Sequence, residues 1–302
     1  MSVDLSSHSN FAARAPLRFV VRRAIESDRR SIVSFLERDS ASNLYPLAWL
    51  QQSPRGLHSS FRASTMLLAD AGVGARDPNA ILGICLIVND NMAIPSAAPQ
   101  QVARAFGARL RARSDLDHMV GEANACAWTW DAYGRGMAPR LEQTQNLYRL
   151  VGAPRCAGVE PVPLRLATLQ DADLIVAASG AMYREETLSD PALEAPMAFR
   201  SMVCRSIDRQ KVWMWMRGTE LLFKAEVSNS YDGGAMISGV FTPPRLRRRG
   251  YARRGLCTLL QHLSARFPQV VLYVNGDNEA AIRLYDALGF RYHCPYRTIY
   301  IQ

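Results

Sequence analysis

Val240-Phe-Thr-Pro-Pro-Arg-Leu-Arg247-Arg-Arg-Gly250-Tyr-Ala252 joins the end of one apolar run, Ala235 to Thr242, to the start of an amphipathic one. From about Gly250 to Phe267 the residues Leu256, Leu259, Leu260, Leu263 and Phe267 recur at helical spacing, and Pro268 stops the helix. The order strand, loop, helix N-terminus brings successive backbone N–H groups together at the positive end of the helix dipole, an anion site made of main chain. Gly250 and Ala252 leave space for a diphosphate to approach closely. Six of the ten residues from Arg245 to Arg254 are arginine, so side-chain charge gathers at the same place. The stretch lacks the G-K-[ST] of a P-loop and the G-x-G-x-x-G of a dinucleotide fold.

Upstream, Val212 to Met216, Leu221 to Val227 and Ala235 to Thr242 read as strands of two antiparallel hairpins. Downstream, Val270 to Val274 is a continuous apolar run, as a parallel strand covered on both faces requires. Asn278 then caps a helix, Glu279 to Leu288, which ends at Gly289, and Arg297 to Ile301 supplies a last strand. In the first half, Thr65 to Ala69, Ala80 to Val88 and Ala123 to Trp130 read as strands and Gln100 to Arg113 as a basic helix. This half holds no phosphate loop. Trp128, Trp130, Trp213 and Trp215 are taken to alternate on strands.

The chain also begins twice. Arg22-x-Ala24-x-x-x-Asp28 and Arg165-x-Ala167-x-x-x-Asp171 each follow an apolar strand and precede a helix, 143 positions apart in a chain of 302. A duplicated fold is expected, with Gly152 to Pro163 as linker. The expected domains are residues 1–155 and 156–302.

With 48% hydrophobic and 21% charged residues the chain can build real cores. The longest apolar run, Ala80 to Val88, is too short to span a bilayer, and no apolar leader precedes Arg14, so a cytoplasmic protein without membrane contact is expected. Six scattered cysteines without C-x-x-C or ligand-spaced histidines read as buried thiols, with no metal. The net charge of +9 comes from arginines spread along the chain, a pattern of composition that argues against nucleic acid as the partner.

The loop resembles the GNAT superfamily of acyl-CoA-dependent N-acyltransferases, whose [RQ]-x-x-G-x-[GA] hallmark is matched by Arg247-x-x-Gly250-x-Ala252. A second family element stands at the proper distance: Leu272-Tyr-Val-Asn275, then Asn278-x-x-Ala281-x-x-Leu284-Tyr285-x-x-x-Gly289-Phe290. Met182-Tyr-Arg-Glu185-Glu186 and Phe223-Lys-Ala-Glu226-Val are similar to a subgroup with an extra N-terminal domain. The resemblance implies an α/β fold with a mixed sheet: two GNAT-like domains in tandem, the N-terminal one degenerate and shaping the acceptor cleft. It implies acetyl-CoA as co-substrate, held by Val240, Phe241 and Thr242 along the pantetheine and by Arg247, Arg248, Arg249, Gly250, Tyr251, Ala252 and Arg253 at the pyrophosphate. A primary amine of a small molecule or peptide is then acetylated by direct attack.

Tyr285 occupies the general-acid position, and Asn278 either contacts pantetheine or caps its helix. The base has three readings. Many relatives carry a carboxylate where this chain has Met236, so Glu226 on the neighbouring strand is the first candidate, with Glu185 and Glu186 second and water-mediated deprotonation without a single base third. The competing reading is a non-catalytic acyl-CoA-binding module, in which the missing carboxylate marks lost chemistry.

Overall fold

The computed structural model describes residues 17–53, 57, 64–72, 77–96, 98–112, 116–187 and 189–301. The expectation about a leader before Arg14 lies outside the described residues. In chain order the first half contains β1 (Val20–Arg23), α1 (Arg29–Leu36), α2 (Leu44–Gln52), β2 (Thr65–Asp70), β3 (Ile81–Val88), β4 (Met92–Ser96), α3 (Gln100–Leu110), β5 (His118–Glu122), α4 (Ala123–Gly134) and β6 (Leu141–Val151). The second contains β7 (Leu164–Leu166), α5 (Ala172–Thr187), α6 (Pro191–Glu194), α7 (Pro196–Asp208), β8 (Val212–Arg217), β9 (Glu220–Tyr231), β10 (Gly234–Phe241), α8 (Tyr251–Ser264), β11 (Gln269–Asn275), α9 (Glu279–Leu288) and β12 (Arg291–Tyr300).

All twelve strands form one sheet in the order β1-β2-β3-β4-β5-β12-β6-β11-β10-β9-β8-β7. Each half follows the same path, and the two exchange their last strands. β6, from the first half, pairs with β11 and β12, while β12 pairs with β5 and β6. The halves also share a core: Leu44 and Leu47 of α2 belong to one apolar cluster with Met236 of β10 and Val271 of β11.

The repeated motif does the same structural work twice. Asp28 accepts the Ile25 N–H at 2.8 Å and two guanidinium bonds from Arg22, at 2.6 and 3.0 Å. Asp171 accepts the Thr168 N–H at 2.8 Å and both arms of Arg165 at 2.8 Å. Each aspartate thereby satisfies a backbone donor in the turn before the first helix of its half and locks that turn to the preceding strand.

Two expectations need correction. Ala123 to Trp130 is not a strand; it opens helix α4, because Glu122 accepts the N–H groups of Asn124 and Ala125 at 3.1 and 2.9 Å and caps it. A short apolar run carries no period that separates the two states. Trp128 and Trp130 are therefore helical, and only Trp213 and Trp215 share a strand. The six cysteines are not all thiols: Cys156 and Cys257 form a disulfide, with 5.6 Å between Cα atoms. The linker folds back over α8, where the Val162 N–H donates to Thr258 Oγ1 at 3.0 Å, and this brings two cysteines distant in sequence together. Among the described residues no cluster of three or more His, Cys, Asp or Glu could hold a metal ion, and no helix is long and apolar enough to cross a membrane.

Candidate active site

β10 and β11 run parallel but pair only at Ala235↔Val270 and Met236↔Val271, after which they part. Where they part, the other edge of β10 is irregular twice: Ser228 of β9 is extra between Met236↔Asn229 and Ile237↔Val227, and a second shift follows. Between Ser238↔Glu226 and Phe241↔Lys224, two residues of β10, Gly239 and Val240, stand against one of β9, Ala225. Gly239 adopts φ +57°, so this is a glycine-led bulge that bends the strand end and re-aims the Val240 amide.

The first half shows what happens without it. β4 and β5 also pair at only two positions, but Gly121 stays close to Pro95, where an added Cβ would come within 2.8 Å of the carbonyl. Helices α3 and α4 close over them, with an added Cβ on Gly107 falling 2.1 Å from Thr129 O. α3 begins at Gln100, soon after β4 ends at Ser96, leaving no loop like the one between Phe241 and Tyr251.

In that loop Gly250 is the N-cap of α8 at φ +80°, and a Cβ there would meet no atom within 4 Å. Glycine is required by the backbone angle, and the space beside it is open. Among the described residues the amides of residues 248–253 find no protein acceptor. The loop arginines divide into two groups. Arg245 pairs with Glu220 at 2.8 Å, and Arg254 lies over the Trp215 ring at 5.0 Å. Arg247 donates to Thr242 O at 3.1 Å and to both oxygens of Glu185 at 2.9 and 2.7 Å, which ties the loop to the end of α5. Arg248, Arg249 and Arg253 form no ion pair among the described residues. Tyr251 is held edge-on to Trp215 with its hydroxyl accepting from Arg217 at 3.2 Å. The Thr242 hydroxyl is buried without a hydrogen-bond partner. A strand end with an orphaned hydroxyl, free amides and an open glycine fits an extended ligand carrying a diphosphate.

Acids and phenols gather around Glu186, at the end of α5. Lys224, wholly buried, reaches Glu226 at 3.1 Å, and an added Cβ on Gly239 would stand 3.3 Å from the ammonium and 3.1 Å from the carboxylate. The pair therefore braces the bulge. Glu186, at the end of α5, is open to water yet walled by protein, and the lost solvation raises its carboxyl above the usual range while the Lys224 charge partly offsets this. Its own charge is felt by four phenols. Burial pushes Tyr183 up to about 12, with Tyr300, Glu226 and Glu186 adding to the shift. Tyr273, Tyr285 and Tyr300 are raised chiefly by burial, with Glu186 among the contributing charges. Gln143, on the exchanged strand β6, donates to the Glu186 carbonyl at 2.8 Å, so the first half helps hold this acid in place.

Tyr285 is buried on α9 beside Phe290, and Asn278 uses Oδ1 to accept the Ala281 N–H at 3.1 Å as a helix cap. Met236 packs in the core under α2, where a carboxylate would be desolvated. Sequence reasoning passed over Lys224 and the ring of Tyr183, Tyr273 and Tyr300, since each comes from a different element and only the fold assembles them.

Residues 221–299 match the family model described as FR47-like protein. Over 68 residues the chain is 41% identical to a Mycothiol acetyltransferase of Nocardiopsis dassonvillei, a match covering 20% of this chain and 21%, about a fifth, of that protein's length. Several solved structures share the fold along almost the whole chain, two of which serve as examples. One is a GNAT-family acetyltransferase from Colwellia psychrerythraea, with TM-score 0.54 and 12% identity over 94% of this chain and 100% of that one. The other is a tandem GNAT protein from the clavulanic acid biosynthesis pathway, with TM-score 0.54 and 13% identity over 93% and 98%. At such identities the likeness establishes the fold.

Proposed function

The chain carries the GNAT fold in tandem, and from that premise we propose that its second half, within residues 156–302, transfers an acetyl group from acetyl-CoA to a primary amine. The observation that carries this reading is the opened slot between β10 and β11, which ends at the unpaired amides of residues 248–253. These amides with Arg248, Arg249 and Arg253 would take the pyrophosphate, and Val240 to Thr242 would line the pantetheine. Arg247 supports the loop through Glu185, and Tyr251 and Ala252 shape it. Acetyl-CoA supplies the activated thioester. The matched relative's name, Mycothiol acetyltransferase, supports acetyl as the group moved.

Of the three candidate carboxylates, the one that accepts the amine proton should be one not already held by a cation. Glu226 is held by Lys224 and Glu185 by Arg247, whereas Glu186 forms no ion pair among the described residues. We therefore assign the base to Glu186 and give Glu226 the support of the bulge. The re-aimed Val240 amide donates to the oxygen that gains charge as the amine attacks. Tyr285, kept protonated by burial, gives its proton to the departing sulfur. The first half, closed by its own helices, takes no CoA.

A thiol-release screen of amines against acetyl-CoA and longer acyl-CoAs tests the proposal. Amine-dependent release with acetyl-CoA supports it. Tight binding of acetyl-CoA without release for every amine class points instead to a non-catalytic acyl-CoA-binding module.

A further inference from the structure

At the end of the sheet where β11 begins, remote from the opened slot where it finishes, Arg149 of β6, Arg155 of the linker and Arg291 of β12 line one cavity of about 430 Å³. Arg149 and Arg291 are direct partners across two antiparallel strands, where like charges repel unless an opposite charge lies between them. Other arginines of the chain find carboxylates, as Arg22, Arg165 and Arg297 do. These three form no ion pair, and no carboxylate lines the cavity, among the described residues. Asp39, which reaches the rim through His293, is already engaged by that ring at 2.8 Å and by Ser42 at 2.7 Å.

The arrangement is built rather than loose. Arg149 Nε is buried without a hydrogen-bond partner, an orphan that calls for an acceptor. The Arg155 N–H donates to Leu288 O at 2.9 Å. Its stem runs against Gly289, at φ +99°, where a Cβ would come within 3.2 Å of Arg155 Cγ. Glycine at the end of α9 thus makes room for the Arg155 stem.

We infer that this cavity binds a phosphate group, free or as a monoester. A phosphate can accept from more than one guanidinium fork at once, whereas a single carboxylate fills one, so three arginines around one cavity without a carboxylate suit the tetrahedral dianion. The site is separate from the 248–253 loop, since α8 starts at that loop and runs toward the end where β11 begins.

The test is calorimetric titration of the full chain with inorganic phosphate against chloride of equal ionic strength, and with O-phosphoserine as a monoester probe. A site is expected that weakens about tenfold or more with Arg291→Gln or Arg155→Gln and persists in Arg253→Gln, a change that removes only anion held by the 248–253 loop. Both substituted arginines are exposed, so the variants should fold, which circular dichroism checks. No binding of either probe beyond chloride overturns the inference. So does binding that survives Arg291→Gln and disappears in Arg253→Gln, because the anion then sits on the loop.

Discussion

The Lys224 ammonium lies 3.1 Å from Glu226 Oε1 with the lysine side chain wholly buried and the glutamate about one fifth exposed. This asymmetry makes the two truncations unequal. Glu226→Ala strands a buried cation and is expected to cost about 3 kcal/mol, whereas Lys224→Met replaces the cation by an apolar chain of similar length and costs less than about 1.5 kcal/mol. Urea denaturation of the two variants measures the difference. Equal losses would mean that the ammonium reaches water.

Glu186→Gln should lower turnover about 100 to 10,000-fold. The carboxyl is raised in the folded chain, so as pH rises through its unfolded value, near 4.5, and then its folded one, the folded state loses stability. The glutamine variant should therefore melt higher than the parent at neutral pH and equally below pH 4.5. In the parent, activity should fall on acidification at a pH above the ordinary carboxylate range. Lys224→Met removes the cation that offsets the rise, so this acid limb should move to higher pH. A limb that stays in place detaches Lys224 from the base.

Tyr285→Phe keeps the ring against Phe290 and removes one proton donor. Folding and acetyl-CoA affinity should change little while turnover falls about tenfold to a thousandfold. Single-turnover rates unchanged from the parent would leave Tyr285 as a packing residue.

Gly250→Ala meets no neighbour but forces a side chain to φ +80°, which should cost about 1 kcal/mol and leave weak acetyl-CoA binding. Gly250→Glu adds an anion where the diphosphate is expected and should abolish binding with the fold intact. Calorimetry should find one acetyl-CoA per parent chain; two equivalent sites would assign a working loop to the first half.

Residues 156–302 expressed alone should not fold to a monomeric, cooperatively melting domain. β6 fills the place between β11 and β12, and without it both strands present open edges. A soluble fragment with a sharp melting transition and acetyl-CoA binding would show that the second half can close its own sheet.

The second half was largely legible because its signals are local. The loop hallmark, the periodic leucines of α8 and the cap at Asn278 each lie within one element or its border, where backbone geometry follows from neighbouring residues. The Arg22 and Arg165 repeats could be read for the same reason, since each arginine meets an aspartate six residues on. α4 was misread because an apolar run of its length carries no distinguishing period, and what settles it is a cap from Glu122. The rest depends on contacts distant in sequence. Nothing near Cys156 marks Cys257 as its partner, and nothing in β6 foretells that it will cross into the other half. The charge environments of the three glutamates are set the same way. Glu226, Glu185 and Glu186 are chemically alike along the chain, and they differ only once the fold sets Lys224 against the first, Arg247 against the second and desolvating protein around the third. Local sequence sets which backbone turns form, while the charge environment of a side chain is set by what tertiary packing brings beside it.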